Sequence, residues 1–81
     1  MKEVILVKTK WCPYCPSAST LWKELSKKYK FNYKEVDAAS SEGQELVSKF
    51  NIMAVPTTII DGKVAFVGVP SREKAEQAIK S

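Results

Sequence analysis

Glu3-Val4-Ile5-Leu6-Val7-Lys8-Thr9-Lys10-Trp11-Cys12-Pro13-Tyr14-Cys15 is the stretch on which the fold turns. Its first part, Glu3 to Lys8, is an apolar run rich in β-branched residues and reads as a strand buried on both faces. Beyond the two cysteines, Ala18, Leu21, Trp22, Leu25 and Tyr29 recur at i, i+3, i+4 spacing and predict a helix from about Pro13 to Lys28 with one apolar stripe. The cysteine pair therefore falls where a strand ends and a helix begins. There Cys12 is expected exposed, near the N-cap, with Pro13 at the first helical position and Cys15 one turn further in. Pro16 would then stand at about N4 and remove an early helical hydrogen bond.

Working outward, Phe31 to Val36 alternates Phe31, Tyr33 and Glu35 against Asn32, Lys34 and Val36, an imperfect strand pattern. Ser41 followed by Gln44 is a capping-box arrangement that can open a second helix, with Leu46, Val47 and Phe50 as its buried face. Val55 to Ile60 and Val64 to Val67 read as two strands joined by Asp61-Gly62, a dipeptide suited to a type I′ turn. Ser71 can cap a last helix carrying Ala75, Ala78 and Ile79, after a turn marked by Gly68 and Pro70. The order is β-α-β-α-β-β-α. The expected fold class is α/β, a mixed four-stranded sheet flanked by three helices.

At 81 residues and 9.1 kDa, the chain is expected to form one domain, residues 1–81, since it is too short for two hydrophobic cores. Hydrophobic residues at 44% and charged residues at 27% exclude disorder and fibrous repeats. The net charge of +4 raises the question of nucleic acid. However, the only dense basic cluster, Lys27, Lys28 and Lys30, ends a predicted helix, where cations complement the macrodipole. No aromatic residues interleave with a basic stripe, so no nucleic-acid partner is expected. Val4 to Val7 is too short for a signal-peptide core or a membrane span, which points to the cytoplasm and away from membranes.

Two cysteines and no histidine leave sulfur chemistry as the available chemistry. In a reducing compartment a close pair is more often redox-active or metal-binding than a structural cross-link, and a three-residue loop would restrain the unfolded chain little. One Cys-x-x-Cys supplies two of the four ligands of a structural zinc site, so a metal or cluster would have to bridge two copies. Redox use is favoured. A helix N-terminus stabilises an anion, lowering a thiol's pKa below its free value of about 8.5. A Cys12 thiolate can then attack a substrate disulfide, and Cys15 can resolve the mixed disulfide. Lys8 and Lys10 are close enough in sequence to favour the thiolate, or are simply solvated.

Two segments carry a family resemblance: Trp11-Cys12-Pro13-Tyr14-Cys15, and Met53-Ala54-Val55-Pro56-Thr57 followed by Asp61-Gly62-Lys63-Val64 and Gly68. Over its whole length the chain resembles thioredoxin-fold proteins, and is similar to the small archaeal thioredoxins sometimes called glutaredoxin-like. Its Cys-Pro-Tyr-Cys is the glutaredoxin form, whereas Trp11 and the Val55-Pro56-Thr57 strand resemble thioredoxins. The resemblance implies a protein-disulfide reductase with Cys12 as nucleophile and Cys15 as resolving thiol, needing no cofactor and no metal. It also implies a cis peptide before Pro56, facing the cysteines, so that the Val55 backbone pairs with an extended substrate segment. Trp11, Pro13, Tyr14, Val55, Pro56 and Gly68 are the implied substrate-binding residues, and Met53, Ala54, Val69 and Pro70 extend an apolar rim.

Implied partners are disulfide-containing proteins and a thioredoxin-reductase-type donor, or glutathione, acting on a monomer. A glutathione-dependent glutaredoxin is the nearest alternative, although Gly68-Val69-Pro70-Ser71-Arg72 lacks the second glycine and the aspartate of a glutathione-binding turn. The buried aspartate that thioredoxins place beneath the resolving cysteine is replaced by Leu6. Proton transfer at Cys15 is therefore expected to use water or another group.

Overall fold

In a computed structural model, which describes residues 2–10 and 12–80, the elements follow the expected order. They are β1 (Glu3–Lys8), α1 (Cys15–Lys28), β2 (Asn32–Asp37), α2 (Ser41–Phe50), β3 (Thr57–Ile60), β4 (Lys63–Val67) and α3 (Arg72–Lys80). The four strands make one mixed sheet in the order β2-β1-β3-β4. β1 runs parallel to β2 and antiparallel to β3, and β3 runs antiparallel to β4. The central position of β1 explains its continuous apolar run. Val4, Leu6 and Val7 are buried, as is usual for a strand covered on both faces.

Alternation along the strands sends Val4, Leu6 and Ile60 to the side where α1 and α3 pack, joining Ala18, Trp22, Leu25, Phe31 and Ala75 in the main core. Trp22 anchors it. Its ring meets Phe31 edge-on at 6.2 Å, and its indole Nε1 donates to Thr58 Oγ1 at 3.1 Å, satisfying a polar group that is fully enclosed. The β3–β4 hairpin turns on Asp61 and Gly62, with φ of 50° and 79°, the positive pair that an I′ turn requires. Ser71 caps α3 as expected, its hydroxyl accepting from Lys74 N–H at 3.2 Å.

Six local expectations are corrected. Helix α1 starts at Cys15, with Tyr14 as N-cap, two residues later than the apolar stripe suggested. Pro13 therefore lies outside the helix, and Pro16 occupies N2 rather than N4. At N2 its missing N–H has no intrahelical partner to lose, so the proline fits the first turn. Helix α2 is capped by Ser40, whose hydroxyl accepts from Gly43 N–H at 3.0 Å, so the capping serine is one residue earlier than Ser41. Leu46, Val47 and Phe50 are only half-buried; the buried residue of α2 is Gly43. β2 is shifted by one residue, leaving Phe31 as a core side chain just ahead of it, and β3 begins at Thr57, after Val55 and Pro56.

Candidate functional site

The two cysteines are brought together by local geometry. Cys15 is the first residue of α1, Cys12 lies three residues before it in the loop leaving β1, and the two sulfurs are bonded, with Cα atoms 5.3 Å apart. Cys12 is less open than the sequence suggested. It is 9% exposed against 2% for Cys15. Tyr14, the N-cap, makes no side-chain capping bond and is 66% exposed, and Pro13 is exposed beside it. Trp11 lies outside the described residues.

The second segment converges on the same end of the sheet. The β1–β3 register pairs Val7 with Thr57, so Val55 and Pro56 lead into β3 where β1 gives way to the cysteine loop. The Val55–Pro56 bond is cis, as the resemblance implied. Thr57 Oγ1 donates to Ala54 O at 2.6 Å, closing a short turn around Val55 and Pro56. Gly68, at φ 89° just past β4, donates its N–H to Pro56 O at 2.7 Å. Pro56 is buried and Val55 half-buried, while Met53 at 90% exposure and Val69 at 42% stand out from the surface. Val55, Pro56 and Gly68 thus form one backbone cluster, and Cys12 and Cys15 another at the neighbouring strand end.

Sequence reasoning missed a polar cluster on the other flank. Leu6 is fully buried, and in the parallel β1–β2 register its partner is Glu35. The Glu35 carboxylate accepts from Lys8 Nζ at 2.7 Å, from Tyr33 OH at 2.7 Å and from the Ser19 hydroxyl, and Lys23 Nζ lies 4.0 Å away. Desolvation pushes this carboxyl up, but the hydrogen bonds from Lys8, Ser19 and Tyr33 and the charge of Lys8 outweigh it and hold Glu35 down at about 2. Burial, together with the hydrogen bond to Glu35 and its negative charge, raises the Tyr33 phenol well above its ordinary range. Glu35 is therefore a fixed anion at neutral pH, and Lys8 is paired rather than simply solvated. The signal in the sequence was a carboxylate sharing a strand face with Phe31 and Tyr33.

Next to the disulfide a cleft of about 400 Å³ opens between the β1–α1 loop and α1, with Cys12, Cys15, Lys8, Lys10, Ser19 and Lys23 in its wall. Among the described residues there is no group of three or more His, Cys, Asp or Glu side chains that could hold a metal ion, and no helix long and apolar enough to cross a membrane.

Comparison with known proteins agrees with this geometry. Residues 2–80 match the thioredoxin domain family. A thioredoxin from Methanocaldococcus jannaschii is 31% identical over 78 residues, spanning 96% of this chain and 92% of that protein. A probable thioredoxin from Methanothermobacter thermautotrophicus is 39% identical over 70 residues, spanning 84% of this chain and 80% of that one. The crystal structure of a reduced thioredoxin pre-protein from Schistosoma mansoni superposes with a TM-score of 0.79 at 34% identity, covering 98% of this chain and 76% of that chain. A bonded Cys-x-x-Cys at a strand-to-helix junction supports thiol–disulfide exchange. The chain is a thiol–disulfide oxidoreductase and belongs to the thioredoxin family.

Proposed function

We propose that the protein reduces disulfides of other proteins, with Cys12 as the attacking thiolate and Cys15 as the resolving thiol. The observation that carries this reading is the Cys12–Cys15 bond at the start of α1, in which Cys12 is the more exposed residue of the two. An N-terminus whose N-cap side chain makes no hydrogen bond leaves first-turn N–H groups available to a thiolate in the preceding loop. The step balances. Cys12 S⁻ attacks one sulfur of the substrate disulfide, and the other sulfur leaves as a thiolate that takes a proton from solvent. Cys15, deprotonated, then attacks Cys12 Sγ and expels the second substrate thiolate. Two electrons pass from the Cys pair to the substrate, and the pair ends as the disulfide.

Val55, Pro56 and Gly68 support the reading that an extended substrate strand is received beside the pair; the exposed Pro13 and Tyr14, and by resemblance Trp11, are assigned to substrate binding as well. No cofactor beyond the pair is required. The working form is a cytosolic monomer that is re-reduced by a thioredoxin-reductase-type donor, with glutathione as the competing donor.

The test is a pair of variants. Cys12→Ser should abolish disulfide reduction, and Cys15→Ser should accumulate mixed disulfides with substrate proteins, visible by non-reducing electrophoresis. Full activity in Cys12→Ser would overturn the assignment. A coupled assay with each donor in turn decides between them; turnover with glutathione alone would replace the reductase-type donor.

A further inference from the structure

The cleft beside the disulfide is unusual in its charge. Lys8, Lys10 and Lys23 all line it, while no Asp or Glu does; the remaining wall is supplied by the cysteines, Pro16 and hydroxyl residues. Glu35 stands behind this wall. It holds Lys8 at 2.7 Å, and Lys23 lies 4.0 Å from it; Asp37, the register partner of Lys8, lines the adjoining cavity with Lys10, so two nearby negative charges stand against the three lysines and a surplus of one remains. That carboxylate is already taken by Lys8, Ser19 and Tyr33, which fixes the Lys8 side chain and leaves Lys10 exposed at the mouth. The position matters as much as the charge. Across the sheet order β2-β1-β3-β4, Glu35 lies on β2, the cysteines follow β1, and Pro56 precedes β3. Cys12 and Cys15 themselves line the cleft, so residues flanking a substrate cysteine bonded to Cys12 come next to the lysines.

We infer that this cleft takes the carboxylate of an aspartate or glutamate flanking the target cysteine, so that the protein prefers protein disulfides set in acidic sequence. The inference rests on the disulfide-reductase reading above and names its substrate class. Complementary charge acts through encounter and orientation, is worth a modest factor at partly exposed sites, and is screened by salt. An acidic flank should therefore raise kcat/KM several-fold rather than by orders of magnitude.

The experiment uses three disulfide peptides identical except that the residues beside the cysteine are Asp, Asn or Lys. Each rate is divided by that of the same peptide with dithiothreitol, which removes the effect of the flank on intrinsic thiol reactivity. The order Asp over Asn over Lys is expected, with about a 3- to 10-fold gap between Asp and Asn at low salt that shrinks above about 0.5 M salt, where the screening length is only a few ångströms. In Lys10→Gln/Lys23→Gln the ratio of Asp to Asn should fall toward unity. Equal normalised rates for Asp and Asn, with both peptides turned over, overturn the inference and leave the reductase reading standing. Failure to reduce any peptide overturns that reading, and the inference with it. Oxidised glutathione is run alongside; its rapid turnover with a flat peptide series overturns the inference and assigns the cleft to a small anionic disulfide.

Discussion

The Lys8 ammonium lies 2.7 Å from the Glu35 carboxylate, a diagonal contact between neighbouring parallel strands in which Lys8 is registered with Asp37 and Leu6 with Glu35. This contact joins the strand that leads to the cysteines to the one beside it. Because Ser19 also donates to Glu35, the same carboxylate ties both strands to α1 one turn after Cys15.

Glu35→Gln should destabilise the fold by about 1–3 kcal/mol, since charge-assisted bonds from three donors are weakened. The pH dependence has a definite sign. Glu35 titrates at about 2 when folded, below the ordinary value near 4.5, so its contribution is complete above that ordinary value and is lost as the pH falls toward 2. Urea midpoints measured in steps from pH 7 to pH 2 should show a steeper acid-side decline in the parent than in the variant; parallel curves would contradict the assignment.

Thr58→Val keeps the shape of a fully buried side chain but leaves the Trp22 indole N–H without its acceptor. A loss of about 1–3 kcal/mol is expected, the cost of an unsatisfied buried donor. The check is the urea midpoint together with the Trp22 fluorescence. An unchanged midpoint would mean that the indole finds another acceptor.

Gly43→Ala in α2 should destabilise, reversing the usual preference of a helix for alanine by about 1 kcal/mol. A Cβ at this position would meet Asp37 O at 1.9 Å and Ala38 Cα at 2.7 Å, both backbone atoms, so the helix or the β2–α2 loop has to move. A net loss of about 1–3 kcal/mol is expected from such overpacking, read from thermal unfolding.

Ser40→Ala and Ser41→Ala form a matched pair. Only Ser40 caps α2, through Gly43 N–H, so its replacement should cost about 1 kcal/mol while that of Ser41 stays within a few tenths. Equal costs in chemical denaturation would restore the capping role to Ser41.

Much of this architecture was legible along the chain because it is set by neighbours in sequence. The period-3.6 stripe from Ala18 to Tyr29 needs only its own residues to define a helix face, and Asp61-Gly62 carries its own turn geometry. Element ends were less legible. The stripe does not say that Pro13 and Tyr14 lie outside α1, and two adjacent serines offer the same cap chemistry at Ser40 and Ser41. The cis bond at Pro56 was reached through resemblance, since the dipeptide Val55-Pro56 favours the trans form when read alone.

By itself the sequence determined the order of strands and helices, the absence of imidazole chemistry, and a cysteine pair at a strand-to-helix junction, all consequences of local pattern and composition. Only the tertiary structure decided that Glu35 stands opposite Leu6, that Lys8 is bound rather than free, and that three lysines share one cleft with the disulfide. Those relations depend on which strands become neighbours and in what register. A parallel pairing between residues 29 positions apart is fixed by how the whole sheet buries its faces, so no short window of sequence contains it.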